Sequence, residues 1–243
     1  MHSEILIVTG GSRGIGAATA RLAAARGFAV CVNYLRDQKA AASVVRDLES
    51  SGAKAIAVRA DIGIEAEVLA LFDQVEQSLG RPTALVNSAA TLELQMRLQD
   101  MDAARLHRIF ATNAIGTMLC CREAVRRMNG GSIVNVSSGA ARYGSPGEYV
   151  DYAASKGAVE TFTIGLAKEV AQQGIRVNGV RPGFIYTDLH AKGGEPARVD
   201  RLKSSVPMQR GGQPEEVAAA ILWLLSPEAS YVTGTFIDVS GGR

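Results

Sequence analysis

Seven short apolar runs punctuate the chain: ILIVT at 5–9, AVCVN at 29–33, AIAVRAD at 55–61, ALVNS at 84–88, SIVNVSS at 132–138, IRVNGVRPG at 175–183 and TFIDVSG at 235–241. None alternates cleanly between apolar and polar positions, which predicts strands covered on both faces. Between them, 15–26, 39–50, 65–78 and 214–225 repeat apolar residues at helical spacing, and 151–170 reads as one longer helix. Strand and helix in alternation predict an α/β chain of the Rossmann type: a doubly wound, seven-stranded parallel sheet flanked by helices and joined by right-handed crossovers. One excursion interrupts the rhythm. Residues 189–212, LHAKGGEPARVDRLKSSVPMQRGG, are long and polar, and such a loop is usually functional. No low-complexity tract or short repeat divides the chain, so 1–243 is expected to be a single domain with 189–212 as a variable insertion.

Composition narrows the partners more than the fold. With 47 % hydrophobic and 21 % charged residues over 243 positions, the chain can bury one sizeable core. Lysine and arginine number 26 against 24 acidic residues, and a net charge of +2 gives no electrostatic case for a nucleic-acid or membrane partner. No apolar run reaches the roughly 18 residues of a membrane span. The opening MHSEILIVTGG enters a strand pattern without a basic start, a signal-like apolar stretch or a cleavage site, so a cytoplasmic location is expected. Cys31, Cys120 and Cys121 lack metal-ligand spacing, and neighbouring cysteines on one helix point apart, so they are expected as small core residues in a reducing compartment. No metal site is expected.

Chemistry enters at VTGGSRGIGAA, 8–18, where glycines lie between a strand pattern and a helix pattern. Gly10, Gly14 and Gly16 would allow a tight turn and close backbone approach, and helix N-terminal amides would then meet a pyrophosphate. A glycine-rich turn without a ligand is the plainer alternative. Gly10, Ser12, Arg13, Gly14, Ile15 and Gly16 are therefore the residues expected against a dinucleotide. The second strand pattern ends at Asn33 and Tyr34 without the acid that holds ribose hydroxyls in NAD-preferring sites. Arg13 and Arg36 could instead pair with a 2′-phosphate, which favours NADP (NADPH) over NAD, although Asp37 keeps NAD open.

The second chemical signal is YAASK, which places Tyr152 and Lys156 four residues apart and hence on one helical face. A free phenol titrates near about 10 and is a poor base at neutral pH. A nearby ammonium and a pyridinium could lower it by about three units, which requires about 4 kcal/mol. Tyr152 could then exchange a proton with a substrate oxygen. Alone, this spacing would be read as a surface pair. Fourteen residues upstream, Ser138 ends a strand pattern at the crevice side of a parallel sheet. Ser137 competes with it, but adjacent strand residues face opposite sides, and Ser137 is expected to support the turn.

Taken in order, TGGSRGIG, NSAA at 87–90, Asn113 in TNAIGT, VSS, YAASK, RPGFIYTD and TGTFIDVSGG span essentially the whole chain and resemble the short-chain dehydrogenase/reductase family. The resemblance implies an oxidoreductase that moves a hydride between NADP(H) and a carbonyl or secondary alcohol. It implies that Ser138 hydrogen-bonds the substrate carbonyl, Tyr152 is the acid/base, Lys156 binds the nicotinamide ribose and lowers the phenol, and Asn113 anchors a water relay. It also implies cofactor contacts from Asp61, Ile62, Asn87 and Ala89, and from Pro182, Gly183, Ile185 and Thr187. Ala90 departs from the family's usual glycine, which puts local geometry in doubt unless its φ is ordinary.

Within that family, 3-oxoacyl thioester reductases often carry basic residues in turns that here read Met128-Asn129-Gly130-Gly131 and Gln172-Gln173-Gly174, with Arg126 and Arg127 nearby. That missing charge weakens the case for a carrier-protein partner. Some sequence features are also similar to sugar-dehydrogenase-like members. A nucleotide-binding regulator without turnover is the alternative from another class. The apolar circumference of 151–170 needs burial on two sides, and the resemblance implies a homotetramer, with a dimer as the alternative. His190, in the variable insertion, could touch substrate but is expected to be solvated, and Trp223 is expected to pack in the core.

Overall fold

A computed structural model of the protein describes residues 4–243; Met1, His2 and Ser3, with which the N-terminal reading begins, lie outside the described residues. In chain order the elements are β1 (Ile5–Thr9), α1 (Gly14–Ala25), β2 (Ala29–Tyr34), α2 (Gln38–Ser50), β3 (Ala55–Arg59), α3 (Glu65–Ser78) and β4 (Ala84–Asn87). They continue with α4 (Ala103–Phe110), a π turn (Ala111–Ile115), α5 (Gly116–Arg127), β5 (Gly131–Val136), α6 (Ala140–Tyr143) and α7 (Val150–Val170). The last are β6 (Ile175–Pro182), α8 (Leu189–Lys192), α9 (Arg198–Leu202), α10 (Pro214–Leu225) and β7 (Phe236–Val239).

All seven strands are parallel, in the order β3-β2-β1-β4-β5-β6-β7. Both faces are covered. Leu6, Val8, Val30, Val32, Val86 and Val134 pack with α1, α2 and α10, while Ile7, Cys31, Leu85 and Ile133 pack with α3, α5 and α7. Alternate residues of each strand therefore enter different cores, which is why the runs lack polar alternation. Each fully buried aliphatic side chain contributes roughly 1.5–3 kcal/mol. The three cysteines are buried and free. The chain reverses direction of winding between β1 and β4, and that switch point opens a crevice at the carboxyl ends of the strands.

Three details differ from the pattern-based reading. α4, the π turn and α5 form a helical stretch that periodicity did not single out, because the π turn at Ala111–Ile115 shifts the helical phase. Trp223 is 41 % exposed, although Leu222 and Leu224 on either side are buried. It occupies the outward face of α10. The 189–212 excursion is folded, with α8, α9 and buried Val199 and Val206, and a bridge from Ile185 to Gly212 closes its base.

Candidate active site

The turn from β1 to α1 is glycine-rich for two reasons. Gly10 and Gly14 have φ of 63° and 52°, a region side chains resist. In addition, a Cβ on Gly10 would stand 2.7 Å from Ala89 Cα, and one on Gly16 would stand 2.3 Å from the Gly10 carbonyl oxygen. Thr9 Oγ1 accepts from the Ser88 and Ala89 amides at 3.1 and 3.2 Å, which ties β1 to the segment leaving β4. Asn33 Oδ1 accepts from the Gly10 amide at 3.4 Å, and its Nδ2 donates to the Val58 and Ala60 carbonyls at 3.3 and 3.1 Å. Asn33 thus shapes the loop. α1 begins with neither a side-chain cap nor an acid in its first turn, whereas Asp37 and Asp102 cap α2 and α4. Its free amides suit an anionic group.

These residues border a cleft of about 1100 Å³, lined by Gly10, Ser12, Arg13, Gly14 and Ile15 at the loop. Asn33, Tyr34, Arg36, Asp61 and Ile62 line it beyond the loop. Asp61 Oδ1 accepts from the Gly63 amide at 2.9 Å, and Ile62 is buried. Asp37 does not belong to the lining: its carboxylate accepts from the Ala40 amide at 2.9 Å. Arg13 and Arg36 are exposed, and the Asp37 carboxylate is engaged by α2 rather than by either of them.

At the other end, the chain leaves β5 through Ser137 and Ser138. Ser137 Oγ donates to Glu160 at 2.7 Å, while half-buried Ser138 stands beside the Tyr152 phenol. Tyr152 and Lys156 sit one turn apart on α7, 9 % and 3 % exposed. Lys156 Nζ donates to the Val136 carbonyl at 2.7 Å and lies 5.8 Å from the centre of the Tyr152 ring.

In the chain without a dinucleotide, burial is the dominant influence on the phenol. Burial pushes Tyr152 up to about 12, against a smaller opposing pull from the Ser138 hydroxyl. Burial also brings Lys156 down to about 8, and its hydrogen bond goes to a carbonyl rather than to the phenol. The chain alone therefore holds the phenol neutral.

Residues 10–243 match a family model described as "Enoyl-(Acyl carrier protein) reductase". The chain is 58 % identical to the "Uncharacterized oxidoreductase YgfF" of Escherichia coli, over 98 % of this chain and 99 % of that protein. It is 39 % identical to a 3-oxoacyl-[acyl-carrier-protein] reductase of Synechocystis, over 100 % of this chain and 97 % of the relative. A short chain dehydrogenase from Burkholderia cenocepacia, solved in complex with NADP, superposes with a TM-score of 0.92 at 32 % identity, covering 98 % of this chain and 97 % of that one. The chain belongs to the short-chain dehydrogenase/reductase family.

The short-chain dehydrogenase site residues do not all reach the cleft. Ala89, Pro182, Gly183, Ile185 and Thr187 line it, as do Ser138, Tyr152 and Lys156. Gly16, Asn87 and Asn113 do not. Gly16 packs beneath the loop; Asn87 Nδ2 donates to Asn135 Oδ1 and Cys121 Sγ at 2.9 and 3.2 Å, inside the sheet. Asn113, in the π turn, accepts from the Thr91 amide at 2.8 Å and donates to the Thr91 carbonyl and Ser155 Oγ at 3.0 and 3.1 Å. Ala90 has an ordinary φ, since Ser145 and Gln209 are the described non-glycine residues with positive values. The departure from the family glycine therefore brings no backbone strain.

Three cleft residues escaped sequence reasoning. Arg105 donates to buried Asp151, next to Tyr152, at 2.7 Å; Tyr149 donates to the Gly193 carbonyl at 3.0 Å; and Lys192 lies on α8. His190 is not a solvated loop residue: its Nε2 sits 3.1 Å from the Ile185 carbonyl, and burial lowers its proton affinity.

Proposed function

We propose that the protein is an NADP-dependent oxidoreductase that interconverts a carbonyl and a secondary alcohol, with Ser138, Tyr152 and Lys156 around the reacting carbon. The observation that carries the reading is one cleft bordered by an uncapped glycine-rich helix start, by Arg13 and Arg36, and by that serine, tyrosine and lysine. The family and the NADP-bound neighbour support it. When bound, the nicotinamide supplies or accepts the hydride. A phenol held neutral by burial is suited to donate its proton to a carbonyl oxygen as the carbon is reduced. Ser138 donates a hydrogen bond to the same oxygen and orients it. Lys156 holds the nicotinamide ribose and keeps positive charge close to the phenol face, which favours the phenolate left after transfer.

Replacing Tyr152 by Phe is expected to lower NADPH-dependent carbonyl reduction by about 10²–10⁴-fold, with dinucleotide affinity kept within a factor of about two. Full activity in Tyr152→Phe would remove the acid/base assignment. A regulator without turnover predicts no oxidation of NADPH by wild type with any member of a panel of ketones, sugars, quinones and 3-oxoacyl thioesters.

The 39 % identity to a 3-oxoacyl-[acyl-carrier-protein] reductase favours thioesters as the second reading. The adjoining turns at Gly131 and Gly174 offer it little charge, because Arg126 pairs with Glu123, and Arg127 with Asp73 and Glu76. Comparing acetoacetyl-CoA with acetoacetyl carrier protein in the same assay separates recognition of the thioester from recognition of the carrier. The buried free cysteines support work in a reducing cytoplasm. The outward face of α7, with open space at Gly157 and Gly165 beside exposed Ile164, supports assembly as a homotetramer.

A further inference from the structure

Three successive turns of α7 engage three successive residues where the chain leaves β5. Lys156 Nζ donates to the Val136 carbonyl at 2.7 Å, Glu160 Oε1 accepts from Ser137 Oγ at 2.7 Å, and the Tyr152 phenol stands beside Ser138. Residues 152, 156 and 160 share one helical face, so a helix face and a strand end are matched residue by residue. The serine turn is also pinned from β6: the Ser137 and Gly139 amides donate to the Val180 and Pro182 carbonyls, both at 2.9 Å. Ser138 Oγ accepts from the Ala140 amide at 3.1 Å, which leaves its proton for another oxygen.

Glu160 is the node that joins these contacts. Besides Ser137, its carboxylate takes Arg181, which lies between Val180 and Pro182: Nε donates to Oε1 at 2.7 Å and Nη2 to Oε2 at 2.9 Å. Ser137 is buried, and the Glu160 and Arg181 side chains are 15 % and 18 % exposed. A bidentate pair of this kind fixes direction as well as distance. Beyond it, Arg181 Nη1 reaches Asp238 at 3.5 Å, and Arg142 of α6 donates to Asp238 at 3.0 Å, so the chain of charges returns to the short helix that follows Ser138. Those outer groups are exposed and add little, which leaves the hold at Glu160.

We infer that Glu160 is a positioning residue for the reaction: by holding Ser137 against Arg181, it sets where the Ser138 hydroxyl points relative to Tyr152. This rests on the role given to Ser138 in the oxidoreductase reading. Ser138 borders the cleft, whereas Glu160 and Arg181 do not, so Glu160 acts through the serine turn rather than on a ligand. Ser137 and Ser138 share a peptide unit, and a rotation of one redirects the other. A misplacement on the order of 1 Å can cost about 10²-fold in rate.

A double-mutant cycle with Ser138→Ala tests it, using NADPH and whichever ketone, sugar, quinone or 3-oxoacyl thioester wild type reduces fastest. In the Ser138 background, Glu160→Gln is expected to lower kcat about tenfold and to keep KM for NADPH within about a factor of two. In the Ser138→Ala background the same change is expected to lower kcat by less than about twofold, because the group it positions is gone. Ser137→Ala, which leaves the Glu160–Arg181 pair in place, is expected to repeat the pattern with a smaller loss, and it decides the matter if Glu160→Gln does not fold. Equal losses in both backgrounds, or no loss in either, overturn the role of Glu160 while the slow Ser138→Ala enzyme keeps the oxidoreductase reading. Full activity in Ser138→Ala removes the roles of Ser138 and Glu160 together. If wild type reduces none of these carbonyls, the oxidoreductase reading and the inference both fall.

Discussion

At the scale of the residue, the site is built from groups held away from their ordinary protonation. Burial brings Lys156 down to about 8 from an ordinary 10.5, so the folded chain binds this proton less tightly than the unfolded chain does. The penalty is full below about 8 and fades as pH rises towards 10.5, so stability from this residue increases through that window. The whole effect is on the order of 3 kcal/mol. Denaturant unfolding of ligand-free wild type and Lys156→Met from pH 7 to 9.5 should therefore show a difference that shifts in favour of wild type as pH rises. Tyr152 and the buried cysteines, raised by burial, act oppositely at the upper end, and the subtraction removes them. A difference that stays flat with pH would mean that the ammonium carries no burial penalty. Ser138, Tyr152, Lys156 and the glycine loop were legible in sequence because turn geometry and helical spacing fix each within a few residues. The burial that raises Tyr152 in the chain without a dinucleotide was not, because it depends on how much water the finished fold leaves at the phenol.

At the scale of the element, the seven apolar runs were legible because a sheet buried on both faces demands them; the stretch from α4 to α5 was hidden by its π turn. That stretch contributes a joint that sequence spacing does not mark. Arg105 on α4 meets Asp151 on α7 at 2.7 Å, their side chains 4 % and 0 % exposed, and Arg105 Nη1 also donates to the Leu94 carbonyl at 2.7 Å. Asp151 Oδ1 in turn accepts from the Tyr152 amide at 2.9 Å, so the ion pair anchors the start of α7 where the phenol sits. Removing one partner leaves the other charge buried without compensation, which costs about 3–5 kcal/mol. Arg105→Met is expected to lose that much in denaturant unfolding, and Arg105→Met/Asp151→Leu to regain most of it. A single variant within about 0.5 kcal/mol of wild type would show that the pair is not a structural joint.

At the scale of the whole molecule, the apolar surface is unevenly distributed. Ile115 and Ile164 are 49 % and 41 % exposed, and the outward side of α7 carries Gly157 and Gly165 with no heavy atom within 4 Å of an added Cβ. Elsewhere Trp223 and Tyr231 are exposed, and β7 is an edge strand whose backbone is itself an invitation to pairing. A helix with an apolar circumference and small residues on its open side fits the close approach of another copy, and an open sheet edge offers a second kind of contact. Gly165→Arg tests the α7 patch without disturbing the chain's own packing, since the new side chain enters open space. Light scattering of wild type is expected to report four chain masses. Gly165→Arg is expected to fall to a smaller assembly, with unchanged circular dichroism and an unfolding midpoint that now depends on the smaller oligomer. A wild-type monomer, or a variant that keeps the full mass, would remove α7 as an interface, and Trp223→Ser would then be the variant to weigh against the β7 side.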